Sequence, residues 1–421
     1  FVERALSLLN HDGRLGFILP HKFFNAQYGE PLRDLIAKGR YLSNVVHFGD
    51  QQVFTGVTTY TCLMFLDKAG CDACHFVKVD NLAAWRKTGA AIEGDIPADR
   101  ITAAEWNFNV GGSADLFERL SQMPVKLGDK AFIFVGLQTS ADKIYVVDEI
   151  APPKHGSVKV KNQNGDELIL EQEILKPFLY GVTVATYEQP VSRHWLIFPY
   201  HLKDDGAALI SSKEMASAYP QTWDYLKRCA SALRGRDGGK WNHDQWYAFG
   251  RSQNLTQMKI PKLIVQVISQ TGKYALDRRG LYFTGGGNGP YYGMRWNNSD
   301  ELHSLHFLQA LLSSHLIDWY LHKISSPFRG GYWSYGKRFI EQLPIRPIDF
   351  TNAADKAAHD RMVKLVDTML QLHPRLAAAK SAHDQALIQR QIDATDRQID
   401  ALVYQLYGLT DDEIKIVEGR A

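Results

Sequence analysis

The stretch from residue 301 to residue 348, ELHSLHFLQALLSSHLIDWYLHKISSPFRGGYWSYGKRFIEQLPIRPI, constrains the fold of this chain most. Leu305, Leu308, Leu312, Leu316 and Tyr320 recur at three- and four-residue spacing, which predicts one helix over residues 302–324. Phe307, Leu311, Ile317, Trp319 and Leu321 place apolar side chains on the other faces, so the helix belongs inside a domain rather than along its rim. Ser325, Ser326 and Pro327 end it. A basic, glycine-paired, aromatic loop follows (PFRGGYWSYGKR), with Arg329, Lys337 and Arg338. A buried helix feeding such a loop suits groove binding, because the helix fixes the loop and the loop reaches phosphates. An ordinary core helix and an ordinary loop fit the same residues.

At 421 residues the chain is expected to form two or three domains. No apolar run reaches the length of a membrane span and no signal-peptide pattern opens the sequence, so no membrane is expected. The formal net charge is only +2, and a case for nucleic acid must rest on local clusters. Four cysteines point to a reducing, cytoplasmic compartment without a disulfide framework. Cys71-Asp-Ala-Cys74-His75 has the haem-attachment spacing, but its flanks read as strand and no second Cys/His pair follows for zinc. Two ordinary thiols and no metal are expected. The chain begins with Phe1 in mid-helix (FVERALSLL), which suggests a piece of a longer polypeptide.

Within residues 1–68, short strands at 15–19, 42–48 and 58–66 flank a helix over 23–39, the closing half of an α/β sheet. Residues 69–130 read as a connecting segment holding Trp85, Trp106, Phe108 and a helix over 114–123. From 131 to 300, short strands alternate with turns, and one hairpin gathers Lys154, Lys159, Lys161, Asn162, Gln163 and Asn164. Lysines and amides of this kind serve phosphate and base-edge contacts. A helix over 212–233, interrupted at Pro220, leads to Arg234-Gly-Arg236, Trp246, Tyr247 and Arg251-Ser-Gln-Asn254. A buried strand over 259–269 precedes a hairpin whose glycine-rich tip, GGGNGPYYG, carries Tyr291. Residues 349–421 show two heptad runs separated at Pro374, an antiparallel helical hairpin or a dimer-forming coiled coil.

The order of these parts resembles a known family. "GRLGFILPHKFF", a helix and "VVHFGDQQVFTGVTTYTCLMFLDK" are similar to the second half of the catalytic domain of adenine DNA methyltransferases. Trp106, Phe108, the Gly136-to-Thr139 turn and Gly250-Arg251-Ser-Gln-Asn254 fit the continuation. "LLSSHLIDWYL", the Gly-Gly aromatic loop and "KRFIEQLPI" resemble the C-terminal specificity domain of Taq-type adenine methyltransferases and their restriction–methylation fusions. The resemblance implies an α/β plus α+β chain. Residues 1–68 would form the C-terminal half of a Rossmann-like sheet, 131–348 a target-recognition domain, and 349–421 a helical hairpin.

It also implies that Phe54, in the "VF" turn, lies against the flipped-out adenine. The family's glycine-containing loop for S-adenosylmethionine and its Asn-Pro-Pro-aromatic tetrapeptide do not occur in these residues. The chain alone is therefore expected to bind double-stranded DNA without catalysing, with the cofactor and the first half of the catalytic domain supplied by the intact enzyme. Because a motif shared across different targets cannot distinguish them, Arg251, Gln253 and Asn254 are assigned to scaffold and backbone contacts. Lys154, Lys159 and Lys161, with Arg329, Lys337 and Arg338, are expected on phosphates. Asn162, Gln163 and Tyr291, at loop tips, are expected to read bases. A stand-alone specificity subunit recruiting separate catalytic chains is the alternative.

Overall fold

The computed structural model describes residues 1–57, 59–204, 206–285, 289–297 and 304–420. Thr58, the first residues of the 302–324 helix and residues 286–288 of the glycine-rich tip lie outside them. The chain divides into two compact units, one of Phe1–Pro124, Trp319–Ser334 and Gly408–Ala421, the other of Val125–Asp318 and Tyr335–Tyr407. Both mix helices with sheets.

The first unit is built on a five-stranded sheet in the order β1 (Arg14–Pro20), β3 (Thr61–Asp67), β2 (Leu42–His47), β4 (Ala73–Lys78) and β5 (Ile92–Pro97). β3 runs antiparallel to both neighbours, with Met64 opposite Phe17 on β1 and Val45 on β2. β2 and β4 are parallel, and β5 closes the edge antiparallel to β4. The apolar run of β3 is therefore explained by its central place, since a strand between two others buries most of its side chains. Met64, Val45 and Ile36 form the core with Trp106 and Phe76.

The helix expected over 23–39 begins later, as Glu30–Lys38, after two short 3-10 turns at His21–Phe24 and Gln27–Gly29. Buried Arg33 explains the delay. Its guanidinium donates to the carbonyls of Phe23 (2.6 Å), Ala26 (2.8 Å) and Ala103 (2.9 Å), taking acceptors that a continuous helix would pair internally. Pro31 near the start of the helix fits this later beginning, because the missing N–H would go unpaired there in any case.

The second unit holds a six-stranded and a four-stranded sheet. The six-stranded sheet runs β17 (Tyr282–Phe283), β10 (Leu175–Leu179), β11 (His194–Ile197), β7 (Val146–Lys154), β8 (Ser157–Asn162) and β9 (Glu167–Glu171). The four-stranded sheet runs β16 (Tyr274–Asp277), β14 (Lys262–Gln266), β18 (Tyr291–Trp296) and β6 (Ala131–Val135). The chain passes from one sheet toward the other just after β6. There Leu137 N–H donates to Phe283 and Gly285 N–H donates to Leu137, while a Cβ on Gly136 would stand 2.1 Å from the Phe283 carbonyl oxygen. Only glycine permits that approach.

The helix expected over 302–324 is two helices, Leu305–Ser313 and His315–Ile324, broken where Ser314 adopts an extended backbone. The Asp400 carboxylate accepts the His315 N–H at 2.9 Å and so caps the second helix from another part of the chain. Pro374, expected to separate the two C-terminal helices, lies inside Ala353–Ala378; the turn comes at residues 379–381, before Ala382–Tyr407. Met362, Val366, Met369 and Leu372 remain buried along one stripe of that helix, and this burial outweighs the hydrogen bond that proline removes.

Candidate nucleic-acid interface

In the first unit, the loop between β2 and β3 carries Phe54 with 46% of its surface exposed. Both ends of the loop are tied to one residue. His21 Nε2 donates to the Gly49 carbonyl at 3.1 Å, and its backbone N–H donates to the Tyr60 carbonyl at 3.3 Å. The carbonyl geometry selects donation, so Nε2 carries the proton. Gln51 bonds the Val79 carbonyl, and Arg86 reaches the Val53 carbonyl at 3.4 Å. The Tyr60 hydroxyl accepts the backbone N–H of Arg329 at 2.8 Å, which brings the exposed arginine of the glycine-paired hairpin to the same loop.

His47 supports the loop from below. Its ring lies 4.2 Å from that of His21, and its Nδ1 accepts the Gly49 N–H at 3.2 Å. Burial, then His21 and Lys78, holds the His47 imidazole well below its ordinary pKa. Burial also lowers that of His21. Neither histidine was singled out from the sequence; the available signal was their place at the ends of two predicted strands, in LPHKFF and VVHF.

In the second unit, Arg236 is buried and donates to four carbonyls, those of Leu233, Thr139, Trp246 and Ala248, at 2.7–2.9 Å. The Gln253 amide donates to the Gly136 carbonyl and the Asn254 amide to the Val135 carbonyl, both at 3.0 Å. Arg251 pairs through its backbone with Gln138 and leaves its side chain exposed. These motif residues lock the segment after β6 against the 246–254 loop. Their side-chain hydrogen bonds go to main chain, and the Arg236 guanidinium also stacks on the Trp241 ring at 4.4 Å.

The hairpin lysines lie on the exposed face of β8, where Lys159 and Lys161 alternate with buried Val158, Val160 and Asn162. That face is of mixed charge. Lys159 pairs with Glu167 at 2.6 Å, and Lys161 stands opposite Glu167 and Asp148 in the strand register. Lys154 is exposed at the β7–β8 turn. Lys337 and Arg338 are exposed at the start of the short helix Lys337–Ile340.

Two residues expected at loop tips are buried instead. Asn162 is 3% exposed; its side chain donates to Asp166 and accepts the N–H groups of Asn164 and Asp166, which shapes the turn. Tyr291 is 1% exposed, lies in β18 rather than in the tip, and bonds the Val182 carbonyl. Gln163 is exposed and borders an open cleft of about 640 Å³ with Gln138, Ser140, Lys143 and Tyr180, a grouping of three distant segments that no local pattern announces.

Cys74 is buried in β4, and burial pushes its thiol up to about 12. His75, the next residue on the strand, faces the other way and bonds Asp95, so the Cys-x-x-Cys-His run presents no common face to a haem. Gly285 does not suit a nucleotide-binding loop either. Gly285, at the head of the glycine run, is packed against Gly136, where a Cβ would stand 2.0 Å from the Gly136 nitrogen. This is a strand crossing rather than a nucleotide loop opening a helix. Among the described residues, no helix is long and apolar enough to cross a membrane.

A chain with this arrangement resembles the methyltransferases of restriction–modification systems. A family model described as Eco57I restriction-modification methylase matches residues 1–54. Among individual proteins, the type II restriction enzyme and methyltransferase RM.Eco57I of Escherichia coli is 28% identical over 436 aligned positions, covering 99% of this chain and 43% of that protein. Type II methyltransferase M.PaeR7I of Pseudomonas aeruginosa is 23% identical, covering 100% of this chain and 65% of that one. The chain thus spans less than two thirds of either relative. The type IIL restriction-modification enzyme MmeI, solved in complex with DNA, shares the fold with a TM-score of 0.59 at 10% identity, over 99% of this chain and 51% of that one.

Proposed function

We propose that this chain is the target-recognition part of an adenine-specific DNA methyltransferase of the restriction–modification kind. The observation that carries the reading is the Phe54 loop: an exposed aromatic on a loop tied at both ends to His21 and joined to the Arg329 hairpin through Tyr60. An enzyme that modifies a base must take it out of the stack, and an aromatic face offsets part of the lost stacking. Phe54 offers that face, and Arg329 supplies a cation for the neighbouring phosphates. In the second unit, Lys154, Lys159, Lys161, Lys337 and Arg338 contact the duplex backbone, while the cleft bordered by Gln163 reads base edges.

Methyl transfer from S-adenosylmethionine needs a cofactor loop and an acceptor set for the adenine amine that the sequence of these 421 residues does not contain. The reading therefore gives this chain binding and base support, and leaves the transfer to other residues of the intact enzyme. The test is fluorescence anisotropy of the chain with duplex DNA over a salt series. Affinity should fall with salt, and Arg329→Ala should lower the slope of log K against log[salt] by about 0.9. Absence of salt-dependent binding to duplex DNA overturns the proposal.

A further inference from the structure

A polar cluster in the second unit lies outside the residues assigned to DNA above. Asp396 and Asp400 stand four residues apart on one face of the helix Ala382–Tyr407. His315 opens the helix His315–Ile324 and places Nδ1 2.6 Å from Oδ2 of Asp400. One ligand atom from each of His315, Asp396 and Asp400 lies within 4.8 Å of the others.

The capping role of Asp400 accounts for Asp400 and for His315, but not for what surrounds them. Asp396 is half-buried beside Asp400. Tyr187 is 4% exposed and packs close enough to both carboxylates that their charges, after burial, raise its phenol. Its hydroxyl lies beside that of Ser313, and neither oxygen finds a further partner among the described residues. Nε2 of His373, whose ring lies 6.1 Å from that of Tyr187, is also without one. A buried hydroxyl left without a further partner is costly. Two carboxylates on one helix face with one imidazole between them make a site short of positive charge.

We propose that His315, Asp396 and Asp400 bind one divalent cation of the class that accepts imidazole and carboxylate together, such as zinc, cobalt or manganese. His315, with its side chain 59% exposed, is the entry side. On binding, His315 releases its Nδ1 proton to solvent and exchanges the hydrogen bond to Asp400 for a bond to the metal, while both carboxylates enter ionised. The Tyr187 hydroxyl then donates to a carboxylate oxygen or to water on the ion, which removes its orphan state. The cation would pin the start of His315–Ile324 to Ala382–Tyr407.

The experiment uses the full chain, stripped with a chelator and titrated with Zn²⁺ in competition with a chromophoric chelator, and with Co²⁺ followed by visible absorption. One site per chain is expected, with cobalt d–d bands and a higher unfolding temperature in zinc. Asp396→Asn and His315→Gln should each weaken binding more than about 100-fold, beyond what outer-sphere changes produce. Asp396→Asn keeps the Asp400 cap, so its metal-free form should unfold at or above the wild-type temperature, which controls for folding. His75→Ala takes the imidazole from the exposed His75–Glu93–Asp95 ion-pair group on β4 and β5 and should leave binding unchanged. The proposal is overturned if the stripped chain takes up no zinc at micromolar concentration, or if Asp396→Asn and His315→Gln bind as wild type does.

Discussion

The backbone N–H of Arg329 donates to the Tyr60 hydroxyl at 2.8 Å, across 269 residues of sequence. Tyr60 ends the Phe54 loop, so one phenol couples the aromatic loop to the arginine hairpin. Tyr60→Phe removes only the acceptor. A hydrogen bond of this kind contributes about 1 kcal/mol net, so local opening of the hairpin should become roughly fivefold more frequent. Tryptic cleavage after Arg329, compared with cleavage elsewhere in the same sample, measures it. An unchanged ratio would mean that the hairpin is held by other contacts.

Phe54→Ala should leave stability within about 0.5 kcal/mol, because the ring is exposed and its loop is held by main-chain contacts. On the proposed function, in the intact enzyme it should reduce the fluorescence of a 2-aminopurine placed at the target base and slow turnover by the equivalent of about 1–3 kcal/mol of lost stacking. Duplex affinity should change much less. Full turnover by this variant would return Phe54 to the status of a surface plug.

The lysine face of β8 separates solvation from DNA contact through its acidic partner. Glu167 pairs with Lys159, and that pairing holds its carboxyl below the usual range. If the face meets phosphates, Glu167→Gln frees Lys159 and strengthens binding to cognate and scrambled duplexes alike, whereas Lys159→Ala and Lys161→Ala each lower the salt slope by about 0.9. Affinities of the three variants indistinguishable from wild type would remove this face from the interface.

His47 gives the first unit an acid sensitivity whose sign follows from its depressed pKa. The neutral ring is favoured in the folded state, where Nδ1 accepts the Gly49 N–H, while the unfolded ring titrates near about 6.5. Its stabilising contribution is complete above that value and is lost as pH falls toward the folded pKa. His315 acts in the opposite sense, since its bond to Asp400 raises its pKa and its contribution is lost as pH rises. Urea unfolding at pH 5 and pH 7.5 should therefore show less stability at the lower pH, and His47→Gln should narrow the difference. An equal difference in the variant would assign the acid loss to other groups.

The sequence made some elements legible because their signal is local. The TCLMFL run announces β3, and the valines at 158 and 160 announce the buried face of β8. It could not announce the break at Ser314, because the cap that stabilises it comes from Asp400, eighty-five residues away. Asn162 and Gln163 look alike in sequence, yet one folds back into its own turn and the other borders a cleft made by residues near 138, 143 and 180. The His21–His47 pair is similarly invisible, since only the sheet brings the ends of β1 and β2 together. Composition and spacing record what a residue can do; long-range packing selects which of those things it does.

The side-chain hydrogen bonds of Arg236, Gln253 and Asn254 all end on carbonyl oxygens. Every amino acid carries that oxygen, so these anchors are indifferent to the side chains of the segments they fasten. Around them, the side chains at 138 and 163 can be rewritten without loosening a fastening. Such a frame lets the surface it displays diverge from one descendant to the next while the frame itself stands still, and it marks those positions as the ones to randomise when a new surface is wanted.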